Sequence, residues 1–173
     1  ISAPGSAQTV FNAAGVNVNL SASGNDFGEI LGATGSLTLV DANSITVSAS
    51  GGGISSNAGN IALTATGIGA LTLAGNVAAG AGNIDLTAHG SITQTGGAIT
   101  GNTVTANSSL GAITLDRVSN NFAAARITAS GAASVQVTDL GNLAISGTGG
   151  SLVVNGSGTV TVDQPLNFAD TMQ

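Results

Sequence analysis

Short apolar pairs at positions i and i+2 recur along this chain at a nearly constant spacing. They are Val18/Leu20, Leu37/Leu39, Ile61/Leu63, Ile84/Leu86, Ile113/Leu115, Val135/Val137 and Leu152/Val154. The steps between them are 19, 24, 23, 29, 22 and 17 residues, about 22 on average. Alternation with period two marks a strand with one face turned inward. Seven such strands at one spacing predict one strand per turn of a solenoid. A second series, Ile45/Val47, Ile92, Leu143/Ile145 and Val160/Val162, follows eight residues after Leu37, Ile84, Val135 and Leu152, and Leu71/Leu73 follows Ile61 by ten. Each turn therefore carries at least two strands joined by short corners, with a third, shorter strand expected at Thr103-Val104-Thr105.

Direct copies support the repeat. Gly59-Asn60-Ile61-Ala62-Leu63-Thr64-Ala65 recurs as Gly82-Asn83-Ile84-Asp85-Leu86-Thr87-Ala88, 23 residues later. On a larger scale, Asn25-Asp26-Phe27 corresponds to Asn120-Asn121-Phe122, with a leucine (Leu20, Leu115) five residues before each. Ser36-Leu37-Thr38-Leu39-Val40-Asp41 likewise corresponds to Ser134-Val135-Gln136-Val137-Thr138-Asp139. The expectation is a single domain over residues 1–173, holding about one and three-quarter copies of a module of about 95 residues.

The residue types suit a parallel β-helix. Stacked Val, Ile and Leu form apolar ladders. Outward Thr and Ser pair along the sheet. The dipeptide Gly-Asn occurs six times and is expected at corners that need positive φ, with Asn amides pairing between coils. No window repeats its apolar residues at helical spacing, and the Ala-rich Phe122–Arg126 has room for one helical turn at most. The fold expected is all-β: a right-handed parallel β-helix of seven to eight coils. An antiparallel sandwich also places strands every 8–12 residues. It does not predict near-identical heptapeptides 23 residues apart, and it normally buries more aromatics than four Phe with no Trp or Tyr.

Composition excludes whole classes of function. The cations are Arg117 and Arg126 with the single His89, against eight carboxylates, for a net charge of −6. Such a chain cannot displace counterions from nucleic acid, and an anionic membrane repels it. Mean hydropathy is positive at +0.42, but no apolar run approaches the ~20 residues of a membrane-spanning helix. Absence of Cys suits a chain exported unfolded. The opening Ile1-Ser2-Ala3-Pro4 has neither initiator Met nor signal peptide, so a processed product or a piece of something longer is expected.

Gly24-Asn25-Asp26-Phe27, followed by the run Leu37-Thr38-Leu39-Val40-Asp41-Ala42-Asn43-Ser44-Ile45-Thr46-Val47, resembles the repeats of filamentous haemagglutinin-like exoproteins, as do the Gly-Asn-Ile-x-Leu-Thr-Ala copies. These are bacterial surface adhesins exported by two-partner secretion. The resemblance spans nearly the whole chain. It implies a β-helix, passage through an outer-membrane transporter, a place outside the cell or on its surface, and a role as shaft or adhesive face with a host-cell or glycan receptor. The family's Asn-Pro-Asn-Gly-type secretion motif is absent, which points to an internal shaft segment or a separately processed fibre subunit.

Candidate chemical groups are few. His89 falls at a turn, where a solvated ring is expected. Asp85 and Asp116 could form a glycosidase-like or lyase-like pair if stacked, but they fall in different registers. The reading is therefore no catalytic, cofactor or metal residues and no enzyme, with a carbohydrate-active β-helix enzyme as the alternative. Asp41 and Asp139 occupy equivalent positions and are read as turn-forming Asx residues. Asp26 and Glu29 form an acidic loop that could hold calcium weakly but is read as solvated. Sequons stand at Asn19, Asn107 and Asn155. Thr64, Thr72, Thr87 and Thr105 hint at the threonine ladders of an ice-binding solenoid, against which irregular coil lengths argue. Apolar Val10 and Phe11 in the first turn, and Leu166, Phe168 and Met172 in the last, predict chain continuation or head-to-tail self-association.

Overall fold

The computed structural model describes residues 2–170, with side chains from residue 7 onward. Strand accounts for 59% and helix for 2%, so the chain is all-β; its parallel strands wind into a β-solenoid of about eight turns with about 21 residues per turn. Strand pairings carry the parallel stack throughout, as the alternating apolar pairs predict.

Each full coil has three sides. The first side stacks β2 (Asn17–Leu20), β4 (Ser36–Asp41), β7 (Ile61–Ala65) and β10 (Ile84–Ala88). It continues through the second halves of β12 (Ile99–Ser108), β14 (Asn121–Ala129), β16 (Leu143–Gly149) and β18 (Val160–Phe168). The second side runs through β1 (Ser2–Asn12) and β3 (Asp26–Thr34), then β5 (Ile45–Val47), β8 (Leu71–Leu73) and β11 (Ile92–Gln94). It ends on β13 (Ile113–Leu115), β15 (Val135–Asp139) and β17 (Leu152–Gly156). The third side holds the later parts of β1 and β3, then β6 (Ile54–Ser56), β9 (Val77–Ala78) and the opening residues of β12, β14, β16 and β18. A single 3-10 turn, Ser50–Gly52, sits between the second and third sides of one coil.

The seven apolar pairs therefore do not form one column. Val18, Leu37, Ile61 and Ile84 do stack on the first side, but Ile84 is followed there by Val104, Ala125 and Ile145. Ile113, Val135 and Leu152 stand on the second side, above Ile45, Leu71 and Ile92. Ile113 faces inward as expected but not over Ile84. The switch falls at the 29-residue step, which is one coil plus one side. Thr103-Val104-Thr105 is accordingly no third strand but the first-side part of β12, and the Ala-rich Phe122–Arg126 lies in β14 without a helical turn.

The same arithmetic explains the larger module. In the first copy, Asn25 and Asp41 mark the corner between the first and second sides; 95 and 98 residues on, Asn120 and Asp139 mark the corner between the second and third. The module spans four coils and one further side, so each copy comes round a third of a turn later.

Inside, Leu37, Leu39, Ile45, Ile54, Ile61, Leu63, Leu71, Leu73, Val77, Ile84 and Leu86 are sealed from solvent, with Phe27 and Phe122 as the largest side chains in the core. Full burial of such a residue stabilises by about 1.5–3 kcal/mol. Outside, columns such as Thr46–Thr72–Thr93 and Thr64–Thr87–Asn107–Thr128–Thr148 line the second and first sides.

The Gly-Asn corners work differently from the sequence expectation. None of their glycines has positive φ, and among the described residues the only positive-φ residue other than glycine is Ala58. Gly24 has open space around it, but at three other corners glycine is needed because the coils approach too closely for a side chain: a Cβ on Gly59, Gly75 or Gly82 would overlap the carbonyl oxygen of Gly35, Ser48 or Gly59. The asparagine next to it reaches across to the neighbouring coil. Asn60 Oδ1 accepts from Asn83 N–H at 2.9 Å, Asn76 Oδ1 from Ala98 N–H at 2.8 Å, and Asn142 Oδ1 from Thr159 N–H at 2.9 Å. Direct amide pairing of corner asparagines occurs between Asn102 and Asn83, at 3.3 Å.

Candidate functional site

Two kinds of polar arrangement stand out from this regular surface: buried corner networks and one amide-lined groove.

The buried networks follow the module. Asn25 Nδ2 donates to Leu20 O at 2.9 Å and Val40 O at 3.1 Å, and Asp41 accepts from the Phe27 and Asn43 N–H groups at 2.5 and 2.6 Å. In the second copy Asn120 Nδ2 donates to Leu115 O at 3.3 Å and Thr138 O at 3.2 Å, while Asp139 accepts from Phe122 and Gly141 N–H at 2.9 and 2.7 Å. The bonds to Asn43 and Gly141, two residues on, are the Asx bonds read from sequence. The bonds to Phe27 and Phe122 go further, tying each carboxylate to a neighbouring coil. These acids face backbone donors inside the wall and are closed to a substrate.

The second network also takes in Gln94 from the neighbouring coil, which lies in the core 3% exposed. Its amide and that of Asn120 bond reciprocally, at 2.8 and 2.9 Å; Gln94 also reaches Gly97 O at 3.2 Å, and Asn120 Oδ1 accepts from Ile99 N–H at 2.9 Å. A fully satisfied buried network of this kind fixes one packing, whereas a half-satisfied one is costly.

Groups singled out from sequence stay apart. His89 is half-buried in the turn after β10. Asp85 projects outward from β10 beside Ala62 and Thr105, and Asp116 lies exposed after β13 beside Arg117, so no shared site forms. Asp26 and Glu29 belong to strand β3, not to a loop. Asp26 accepts from Asn43 at 3.2 Å. Glu29 accepts from Gln8 at 2.9 Å and Ser48 at 2.8 Å; these two bonds, Gln8 first, hold its carboxyl below the usual range. Among the described residues no three His, Asp or Glu side chains gather to hold a metal ion. Sequon Asn19 is exposed on β2, Asn107 is half-buried within β12, and Asn155 is exposed on β17. Thr64 and Thr87 share one outward column of the first side, Thr105 lies in the column beside Asp85, and Thr72 is on another side, so the four make no common lattice. Phe11 packs in the core, Val10 is 63% exposed, and Leu166 and Phe168 pack partly against the last coil, whereas Met172 lies outside the described residues.

Arg126 supplies the one close ion pair among the described residues. Its guanidinium meets the Asp163 carboxylate bidentately, with Nη1 to Oδ1 at 2.7 Å, and it also touches Ser146 Oγ at 3.3 Å. The hydrogen bond from Arg126 keeps the Asp163 carboxyl below its usual range. The pair clamps the last coil, where β18 bulges outward between Val162 and Leu166, to the coil two below it.

The groove lies where the third side meets the first. It is a shallow, open depression of about 370 Å³ lined by Gly80, Ala81, Gly101, Asn102, Asn121, Phe122, Ala123 and Asn142. Its origin is a change in coil size. The path across the third side takes ten residues from Leu115 to Ala125 but eight from Val137 to Ile145, although both pairs are in register. The shorter coil leaves a step, and small residues beneath it keep the step open.

Fold and wall together define the class: an all-β, parallel β-helix repeat protein. No family model, curated protein or solved structure matches the chain.

Proposed function

We propose that this chain is a structural and adhesive segment of a secreted bacterial surface protein, a β-helical shaft of the filamentous haemagglutinin-like kind, and that it is not an enzyme. The observation that carries the reading is the continuous parallel stack, in which every coil repeats the same inward ladders and length grows by about 4.8 Å per coil. The resemblance of the Gly-Asn-Asp-Phe and Gly-Asn-Ile-x-Leu-Thr-Ala phrases supplies the family, the surface location and export through an outer-membrane transporter. Among the described residues, the pairing of β1 with β3, β2 with β4, β15 with β17 and β16 with β18 leaves open strand edges at the two ends of the stack. Such edges accept a further coil, from the same polypeptide or from a second copy head to tail.

Tandem copies of the chain, imaged by electron microscopy, test the shaft. Rods of constant width that lengthen by about 4.8 Å for each added coil are expected. Beads that do not fuse into one rod would refute it. Turnover of a polysaccharide that disappears on replacing Asp85 or Asp116 would establish the enzyme instead.

A further inference from the structure

We propose that a second copy of this chain docks side by side on the second side of the solenoid, antiparallel, about a two-fold axis that crosses β13. The exposed apolar residues carry the inference. Of the eight large ones among the described residues, Val10, Val16, Val160 and Val162 belong to the first and last coils. The other four, Ile68, Leu110, Val118 and Leu140, are 91%, 69%, 77% and 56% exposed. Ile68 and Leu110 stand at the corner just before β8 and β13, and Val118 and Leu140 at the corner just after β13 and β15. They border the second side from both edges. Between them runs the outward column Thr72–Thr93–Thr114–Gln136–Val153.

Charge selects the occupant and its orientation. A net charge of −6 sets two copies against each other, so contact is least opposed where free carboxylates are few. From β8 to β17 the second side and its corners carry, among the described residues, one exposed carboxylate and one cation. These are Asp116 and Arg117, 4.0 Å apart. Asp139 is buried and bonded to backbone, and His89 is half-buried at the corner between Ile68 and Leu110. Asp26 and Glu29 lie below this stretch and Asp170 above it, while Asp85 and Arg126 are on the first side. The Asp116–Arg117 pair is complementary to itself. An antiparallel two-fold axis crossing β13 sets Asp116 of each copy opposite Arg117 of the other, twice, and such matching fixes register. The same axis brings β8 opposite β17 of the second copy and β11 opposite β15. Ile68 then lies over Gly150 and Ser151, which precede β17, and Leu140 over Gly96 and Gly97, which follow β11. Leu110 and Val118 each meet their own mates, and Thr93 meets Gln136. A parallel pairing would leave the two charges facing the Leu110 corner without partners.

The five coils in contact span about 24 Å, and a side of about seven residues, a third of a turn, is about 23 Å wide. The face is therefore about 550 Å² per copy, or about 1,100 Å² in all, at the lower end of specific interfaces. The dimer is weak and reversible, with a Kd on the order of 10–100 µM. Its contact is isologous and closes at two copies, so it is distinct from any joining of coil ends and leaves both ends of the stack free.

Sedimentation velocity of the whole chain from about 5 to 500 µM brackets that range and is expected to show a monomer–dimer equilibrium. Leu110→Ser should weaken the dimer at least about tenfold. Asp116→Arg and Arg117→Asp should each weaken it alone, since each sets like charges together across the axis. Mixed in equal amounts, these two variants should associate again at wild-type strength, because each brings the charge the other lacks. All three positions are exposed, so melting temperature and circular dichroism should match wild type. The chain has no cysteine. Thr114→Cys should therefore give a disulfide-linked dimer on mild oxidation, and Ala62→Cys, on the first side, should not. A monomer throughout the range, an undiminished dimer in Leu110→Ser, or no recovery in the charge-swapped mixture would each overturn the proposal. So would assembly that runs past the dimer and is untouched by Leu110→Ser, which would place the contact at the coil ends instead.

Discussion

Replacing Asn120 by Ala is the sharpest test of how the interior is organised. Asn120 is sealed from solvent, and its amide joins Gln94, Ile99 N–H, Leu115 O and Thr138 O. Truncation leaves Gln94 Oε1 without its donor and Ile99 N–H without its acceptor, while Gln94 Nε2 keeps Gly97 O. Each buried polar group left unsatisfied costs about 1–3 kcal/mol. Two of them, together with the lost packing, give about 3–5 kcal/mol, which for a chain of this length lowers the melting temperature by roughly 10–15 °C. A double-mutant cycle isolates the cause. Gln94→Leu alone leaves the Asn120 amide bonded to Ile99 N–H, Leu115 O and Thr138 O; added to Asn120→Ala it removes one of the two orphans, Gln94 Oε1, and should restore part of the stability, with a coupling of about 1–3 kcal/mol. Thermal and urea unfolding followed by far-UV circular dichroism measure all four corners. An Asn120→Ala variant within about 0.5 kcal/mol of wild type, or strictly additive effects in the double variant, would refute the network argument.

Ile84→Asp should fail to fold or lose several kcal/mol, because Ile84 is wholly buried between Ile61 and Val104 and no cation is placed to pair the charge; wild-type-like melting would show the register to be wrong. Gly59→Ala should destabilise by driving a Cβ into the Gly35 carbonyl, seen as a lower urea midpoint, whereas Ile68→Ser, at a position 91% exposed, should leave that midpoint unchanged. Asp163 has a folded-state pKa below its ordinary value, so its stabilisation is present above the unfolded pKa and is lost as pH falls through the folded one. Amide exchange in β18 should therefore accelerate below about pH 4, and Asp163→Asn should bring that faster exchange to neutral pH and remove its dependence on acid.

Much of this fold is legible in the residues. Alternating apolar pairs every 20-odd residues dictate parallel coils, and the matching Asp41 and Asp139 already read as corner residues. The assignment of strands to sides is not legible from alternation, because Ile113-Thr114-Leu115 on the second side has the same pattern as Ile61-Ala62-Leu63 on the first. The 29-residue step was the available mark. Gln94 looks like a surface residue by type, yet its place in Ile-Thr-Gln matches the inward leucine of Leu71-Thr72-Leu73. The groove has no local signature at all, since it arises from the difference in length between two coils that are neighbours only in space.

The one-side advance of each module has a geometric consequence for any array that keeps the same spacing. Three modules make thirteen coils, about 62 Å, and only then does a given corner regain its bearing. A feature borne once per module would thus climb such a rod as a single staircase with three steps to the turn, facing each of the three sides in turn. A fibre built this way has no front or back: however it rolls against a flat surface, one step in three is already turned towards it.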